Sequence, residues 1–92
     1  MPITRGYERG FIQSDNLLKV LSPEDGESPW VKVIAMHKNK KQGIGILQNT
    51  LFSKRLYWGQ MVLFTEKSKD EIPYIVKKVD SVPNTKEWTT EF

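Results

Sequence analysis

The chain contains no cysteine. That absence excludes disulfides, thiolate metal sites and cysteine nucleophiles together. A small domain without covalent staples depends on its apolar core, which fits a reducing compartment, so a cytoplasmic location is the expectation. There is one histidine, His37, with no acidic residue close to it in sequence, so the usual metal-donor sets have nothing to build on. No apolar run approaches the about 20 residues that a membrane-spanning helix needs. Residues Met1 to Arg9 hold no apolar signal region. Neither membrane association nor a secretory leader is therefore expected. Internal repeats and low-complexity stretches are also missing.

One sign of charge is missing from the middle of the chain. Residues 28–65 carry six Lys or Arg and no Asp or Glu, so the net charge of +3 conceals segments of −2, +6 and −1. A positive pole of this kind raises the association rate with an anionic partner and weakens with salt. The alternative is that these lysines only keep loops solvated, as surface charges often do.

With 92 residues, 38% of them hydrophobic and 27% charged, the chain is expected to form one globular domain over residues 1–92. Its small core limits its stability. Trp30–His37 is the clearest strand, β-branched and aromatic at its start. Lys38–Gln42 reads as a basic hairpin tip, and Gly43–Leu47 as the returning strand. The two glycines of that strand share one face, which marks a bend or a close backbone approach. Met61–Glu66 and Pro73–Val79 form a second strand pair around the polar tip 67–71. Gly10–Gln13 reads as a short strand. Asn16–Leu21 fits either a helical turn capped by Asp15 or a strand. Residues 22–29, with two prolines, a glycine and three acids, form a loop. A helical turn is expected within Thr50–Arg55. Another is expected at the C-terminal tail, where Trp88 and Phe92 are spaced i, i+4 for docking. Trp30 and Phe64 are expected in the core. The sum is an all-β or mainly-β domain, a small closed or partly open five-stranded barrel of the SH3-like or OB-like kind.

The order Trp30-Val-Lys-Val, Gly45-Ile-Leu-Gln-Asn49 and Leu56-x-x-Gly59-Gln-x-Val62-x-Phe64 resembles a module of small bacterial proteins of unknown function. Some of these are found near immunity or defence genes. The similarity covers about residues 28–66. Gln60 stands where that pattern usually has aspartate. The resemblance implies a barrel-like fold and no defined biochemistry.

Catalytic chemistry finds no footing in the residues. His37 has no cysteine to activate and no serine in a nucleophile-elbow context, and the acid pairs Glu24-Asp25 and Asp70-Glu71 lie in polar loops. Gly43-Ile-Gly45 is not followed by a helix or a Lys-Ser pair, so no phosphate loop is expected. Neither a catalytic residue, a cofactor nor a metal is expected.

Two binding classes remain. The candidate contact residues are Lys38, Lys40, Lys41, Lys54, Arg55, Tyr57 and Trp58. Binding to a protein partner, an acidic one being an option, is favoured, because Val33–Met36 and Met61–Phe64 are apolar on both strand faces and need cover. That cover could come from a loop, from the Trp88–Phe92 tail or from a second molecule, a homo-oligomer being one option. The alternative is single-stranded RNA or DNA, held by the lysines with Tyr57 and Trp58 stacking on bases. Against stacking, at least one of these two aromatics is expected to be half-buried. One continuous face would favour nucleic acid. Scattered lysines beside an apolar patch would favour protein.

Overall fold

The computed structural model describes residues 12–13, 17–39, 41–67 and 72–90. Every regular element among them is a strand: β1 (Ile12–Gln13), β2 (Leu17–Lys19), β3 (Trp30–His37), β4 (Gln42–Leu47), β5 (Met61–Thr65), β6 (Tyr74–Lys78) and β7 (Trp88–Thr89). They form one sheet in which β1 to β6 follow chain order, and β7 pairs with β3. All the ladders are antiparallel. The fold is therefore all-β. Among the described residues no strand ladder closes the sheet. Its margins meet at one isolated parallel bridge, where the Leu21 N–H donates to the Pro73 carbonyl and the Ile75 N–H donates to the Leu21 carbonyl, both at 2.8 Å.

The curl needed for that meeting comes from two irregularities, one in the β3–β4 register between Val33 and Ala35 and one in the β5–β6 register between Leu63 and Phe64. Bulges of this kind bend the strand and increase its twist. Inside the curl lies a cluster drawn from β2 to β6, with Leu18, Val31, Val33, Leu47, Val62, Phe64 and Ile75 among its members. Strand β5 shows the alternation most simply, with Val62 and Phe64 buried and their neighbours only partly covered.

The glycine face of β4 is a site of close approach. Gly43 pairs with Phe64 on one side and Met36 on the other. A Cβ built at Gly43 would collide with the Phe64 ring, coming within 2.8 Å of its Cε1, and would lie 2.8 Å from Met36 Sδ. One at Gly45 would sit 3.0 Å from Val31 Cβ. The missing side chains are what let the Phe64 ring and Val31 lie against the β4 backbone.

Several expectations change. Asn16–Leu21 is not a helical turn in its described part, because Leu17–Lys19 pairs with Trp30–Lys32. Thr50–Arg55 contains turns and no helix, and Lys54 there has φ 62°, incompatible with a right-handed turn. The expected helical turn at the tail is a strand instead: Trp88 and Thr89 pair with His37 and Met36. Phe92 lies outside the described residues, as do Asp15, Asn16, Asp70 and Glu71. Phe64 is buried as expected, but Trp30 is only half-buried. Val31 takes the inward position, and alternation turns Trp30 to the other face.

The tail is held at the tip of β3. The Lys38 N–H donates to the Glu87 carbonyl at 2.7 Å, and the Trp88 ring meets His37 edge-on at 5.2 Å between centroids. His37 Nδ1 accepts the Asn39 N–H at 3.1 Å, so Nε2 carries the proton toward Glu87 Oε2 at 2.9 Å. His37 therefore ties a hairpin tip to a tail.

Two outcomes test this packing. Phe64→Ala should cost about 3–5 kcal/mol and Gly43→Ala about 1–3 kcal/mol by overpacking in urea denaturation. In the Phe64→Ala background the Gly43→Ala penalty should largely disappear, since the two share one contact. Additive penalties would show that Phe64 does not set the need for glycine. Trp88→Ala should cost about 1–3 kcal/mol and speed hydrogen exchange at the Lys38 amide. Unchanged exchange there would mean that the ring does not hold the tail.

Candidate interaction surface

The connection from β4 to β5, residues 48–60, is long and irregular, yet it is tied down at many points. Leu51 and Leu56 are buried and anchor it in the core. The Leu51 N–H donates to the Leu56 carbonyl at 3.0 Å, and the Lys54 N–H to the Leu51 carbonyl at 2.9 Å. Between and beyond these anchors the side chains point outward. Phe52 is 95% exposed, Trp58 68% and Tyr57 50%.

The loop of residues 22–27 clamps this connection from outside. Its own turn closes through the Ser22 N–H to Glu27 carbonyl bond at 2.7 Å and the Gly26 N–H to Ser22 carbonyl bond at 2.9 Å, with Gly26 at φ 65°. The Glu27 carboxylate then accepts the N–H groups of Phe52 at 2.8 Å and Ser53 at 3.1 Å. Asp25 accepts a forked pair from Arg55, Nη2 to Oδ2 at 2.7 Å and Nε to Oδ1 at 3.2 Å. It also accepts the hydroxyl of buried Ser22 at 2.6 Å. Glu24 adds a looser contact to Arg55 at 3.4 Å. Further along, the Trp58 N–H donates to Thr50 Oγ1 at 3.0 Å, and the Tyr57 N–H to Gln60 Oε1 at 2.9 Å.

The hydrogen bonds from Arg55, Ser22 and Ser53 hold the Asp25 carboxyl well below the usual carboxylate range, and the same pairing raises the Arg55 guanidinium. Fork-to-fork geometry on a carboxylate that keeps only 4% of its surface exposed makes this more than a loose surface pair.

The candidate contact residues therefore do not form one face. Lys38 and Lys41 are exposed at the β3–β4 tip, and Lys40 lies outside the described residues. Lys54, Arg55, Tyr57 and Trp58 follow the other end of β4, which leaves about 20 Å of strand between the groups. Arg55 is committed to Asp25. Lys54 is exposed and makes no ion pair among the described residues. Both Tyr57 and Trp58 are exposed, against the expectation that one would be half-buried. Phe52, the most exposed aromatic among the described residues, is not one of the candidates. A lone phenylalanine between Leu51 and Ser53 gives no sequence signal that its neighbours, and not it, face the core.

Two open clefts flank these elements. One of about 600 Å³ is lined by Leu21, Pro23, Lys67, Ile72 and Tyr74. The other, of about 480 Å³, is lined by Leu17, Ser28, Trp30, Gln48 and Asn49. Among the described residues no group of three or more His, Asp or Glu is placed to hold a metal ion, and no helix is long and apolar enough to cross a membrane. Protein-family models, curated proteins and solved structures give no match to this chain.

The Asp25 clamp has a signed pH dependence. A carboxylate whose folded pKa is depressed contributes stability that is full above its unfolded value near pH 4 and is lost as pH falls below it. Wild type should therefore lose stability more steeply than Asp25→Asn on acidification below about pH 4. Parallel acid limbs in thermal melts of the two proteins would remove the clamp as a source of stability.

Proposed function

We propose that this chain is a non-enzymatic interaction module that binds a protein partner through the 51–58 loop. The observation that carries the reading is the exposure of Phe52, Tyr57 and Trp58 on a loop already fixed by Glu27, Asp25 and Thr50. Tryptophan and tyrosine are typical anchors of protein interfaces, and a fixed loop loses little freedom on binding. Lys54 adds a second argument. A left-handed backbone costs a non-glycine residue about 1–2 kcal/mol, and lysine stands at φ 62° here, a strained position that points to a use for its side chain. It complements an acidic group on the partner next to the pockets that take the rings.

We place the fold with partly open five-stranded barrels of the SH3-like kind. The run β2 to β6, its two register shifts and the Leu21–Tyr74 bridge support that placement. The separation of Lys38 and Lys41 from the aromatic loop favours a protein over a nucleic acid here, since Lys54, the one unpaired cation beside the rings among the described residues, is little to hold a phosphate chain.

A photo-crosslinking phenylalanine analogue at position 52 tests the reading in cells. The expected result is a discrete, nuclease-resistant protein adduct that Trp58→Ala reduces strongly. The same adduct from an analogue at Lys77, on exposed β6, would show that the loop is not the interface. A nuclease-sensitive adduct would transfer the loop to single-stranded nucleic acid.

A further inference from the structure

The outward face of β2, β3 and β4 carries a second constellation, separate from the aromatic loop. Leu18 and Val31 point into the core, so their neighbours in sequence point out. Lys19 pairs with Trp30, and Leu17 with Lys32. Trp30 thus sits half-exposed between two exposed lysines that form no ion pair among the described residues. Lys19 and Lys32 are diagonal neighbours on this ladder, about 7–8 Å apart.

On the β4 side of Trp30 lie two side-chain amides with fixed orientation. Asn49 Oδ1 accepts the Trp30 N–H at 3.1 Å, which leaves its NH2 without a partner among the described residues. Gln48 Nε2 donates to the Ile46 carbonyl at 3.0 Å, which leaves its Oε1 without one among the described residues. Both residues line the 480 Å³ cleft beside Trp30, and no charged side chain lines it with them. The cleft therefore joins a flat ring, a donor pair, an acceptor and two flanking cations.

We infer that this face binds single-stranded nucleic acid. One base stacks on Trp30, its edge is read by the Asn49 NH2 and Gln48 Oε1, and Lys19 and Lys32 take the flanking phosphates. Each part has its physical reason. Every base has a π-face for an aromatic platform, and side-chain amides offer the donor–acceptor pairs that base edges complement. An uncharged cleft with cations at its rim suits a ligand whose charge lies outside its ring. An acidic peptide would satisfy the lysines but would leave the paired amide functions unused. The inference does not rest on the loop reading, because none of its residues belongs to 51–58.

The test is fluorescence anisotropy of labelled mixed-sequence 12-nucleotide RNA and DNA with the full chain at low salt. Two phosphate contacts predict a slope of log affinity against log salt near −1.4, so binding about sevenfold weaker at 200 mM than at 50 mM salt. Lys19→Ala and Lys32→Ala should each flatten the slope by about 0.7. Asn49→Asp keeps the oxygen that holds the Trp30 N–H but removes the free donors, so it should change base preference with little change in melting temperature. Gln48→Lys likewise keeps a donor toward Ile46 and removes the acceptor. Quenching of tryptophan emission should survive Trp58→Phe.

Several results would overturn the inference. One is no binding at high micromolar oligonucleotide. Others are binding that the Lys19→Glu, Lys32→Glu double variant leaves intact, and binding lost on changing Lys38 and Lys41 instead. Loss of quenching in Trp58→Phe would move the ligand to the loop. Equal displacement by polyglutamate, with no base preference, would assign the face to an acidic protein.

Discussion

The bare backbone of β4 under the Phe64 ring is the contact on which the fold depends. Strand β4 lies between β3 and β5, and its inward face is Gly43, Gly45 and Leu47. A small sheet that curls this tightly has little room for two layers of side chains. Glycine on the central strand lets the ring of one neighbour and the valine of the other fill the same space. The contact also holds register. A one-residue slip of β5 would put Leu63 or Thr65 opposite Gly43 and turn Phe64 to solvent.

The surface is organised by a different force. Three acids from the 22–27 loop meet the β4–β5 connection, which is basic and is otherwise held by Leu51, Leu56 and its own hydrogen bonds. Carboxylates accepting backbone N–H groups and a forked arginine are directional contacts, so they fix the loop's shape as well as its position. For the proposed binding role the consequence is preorganisation. Exposed aromatics on a mobile loop would lose much of their binding energy to ordering, whereas these are presented by a clamped one.

Folding also redistributes charge. The chain's positive middle third does not become a positive face. Glu24, Asp25, Glu27 and Glu87, all from the flanking thirds, return to lie against Arg55, the 52–53 backbone and His37. Among the described residues, lysines without an ion pair are left in separate places, among them Lys38 and Lys41 at one tip, Lys54 in the aromatic loop, and Lys19 with Lys32 on an outer sheet face. Charge counted along the chain therefore overstates the pole and misses Lys19, which belongs to the acidic first third.

The strands that face a core on one side were legible in the sequence, because alternation and β-branching report burial directly. Trp30–His37 has its expected bounds, Met61–Thr65 lies one residue inside its expected range, and the close approach at Gly43 follows from glycine on a strand face. Long-range partners were not legible. Nothing local distinguishes Leu17–Lys19 as a strand until Trp30–Lys32 supplies its hydrogen bonds, and Trp88–Thr89 becomes a strand only beside Met36–His37. The candidate site divides in the same way. Sequence determined which side chains could carry binding chemistry: cations, aromatics and amides, without thiols. Tertiary structure decided which of them were available. Arg55 was taken by Asp25, Phe52 and Trp58 were left in water, and Trp30 was set between two lysines. The reason is physical: burial and pairing depend on neighbours distant in sequence, and a residue's own identity does not name them.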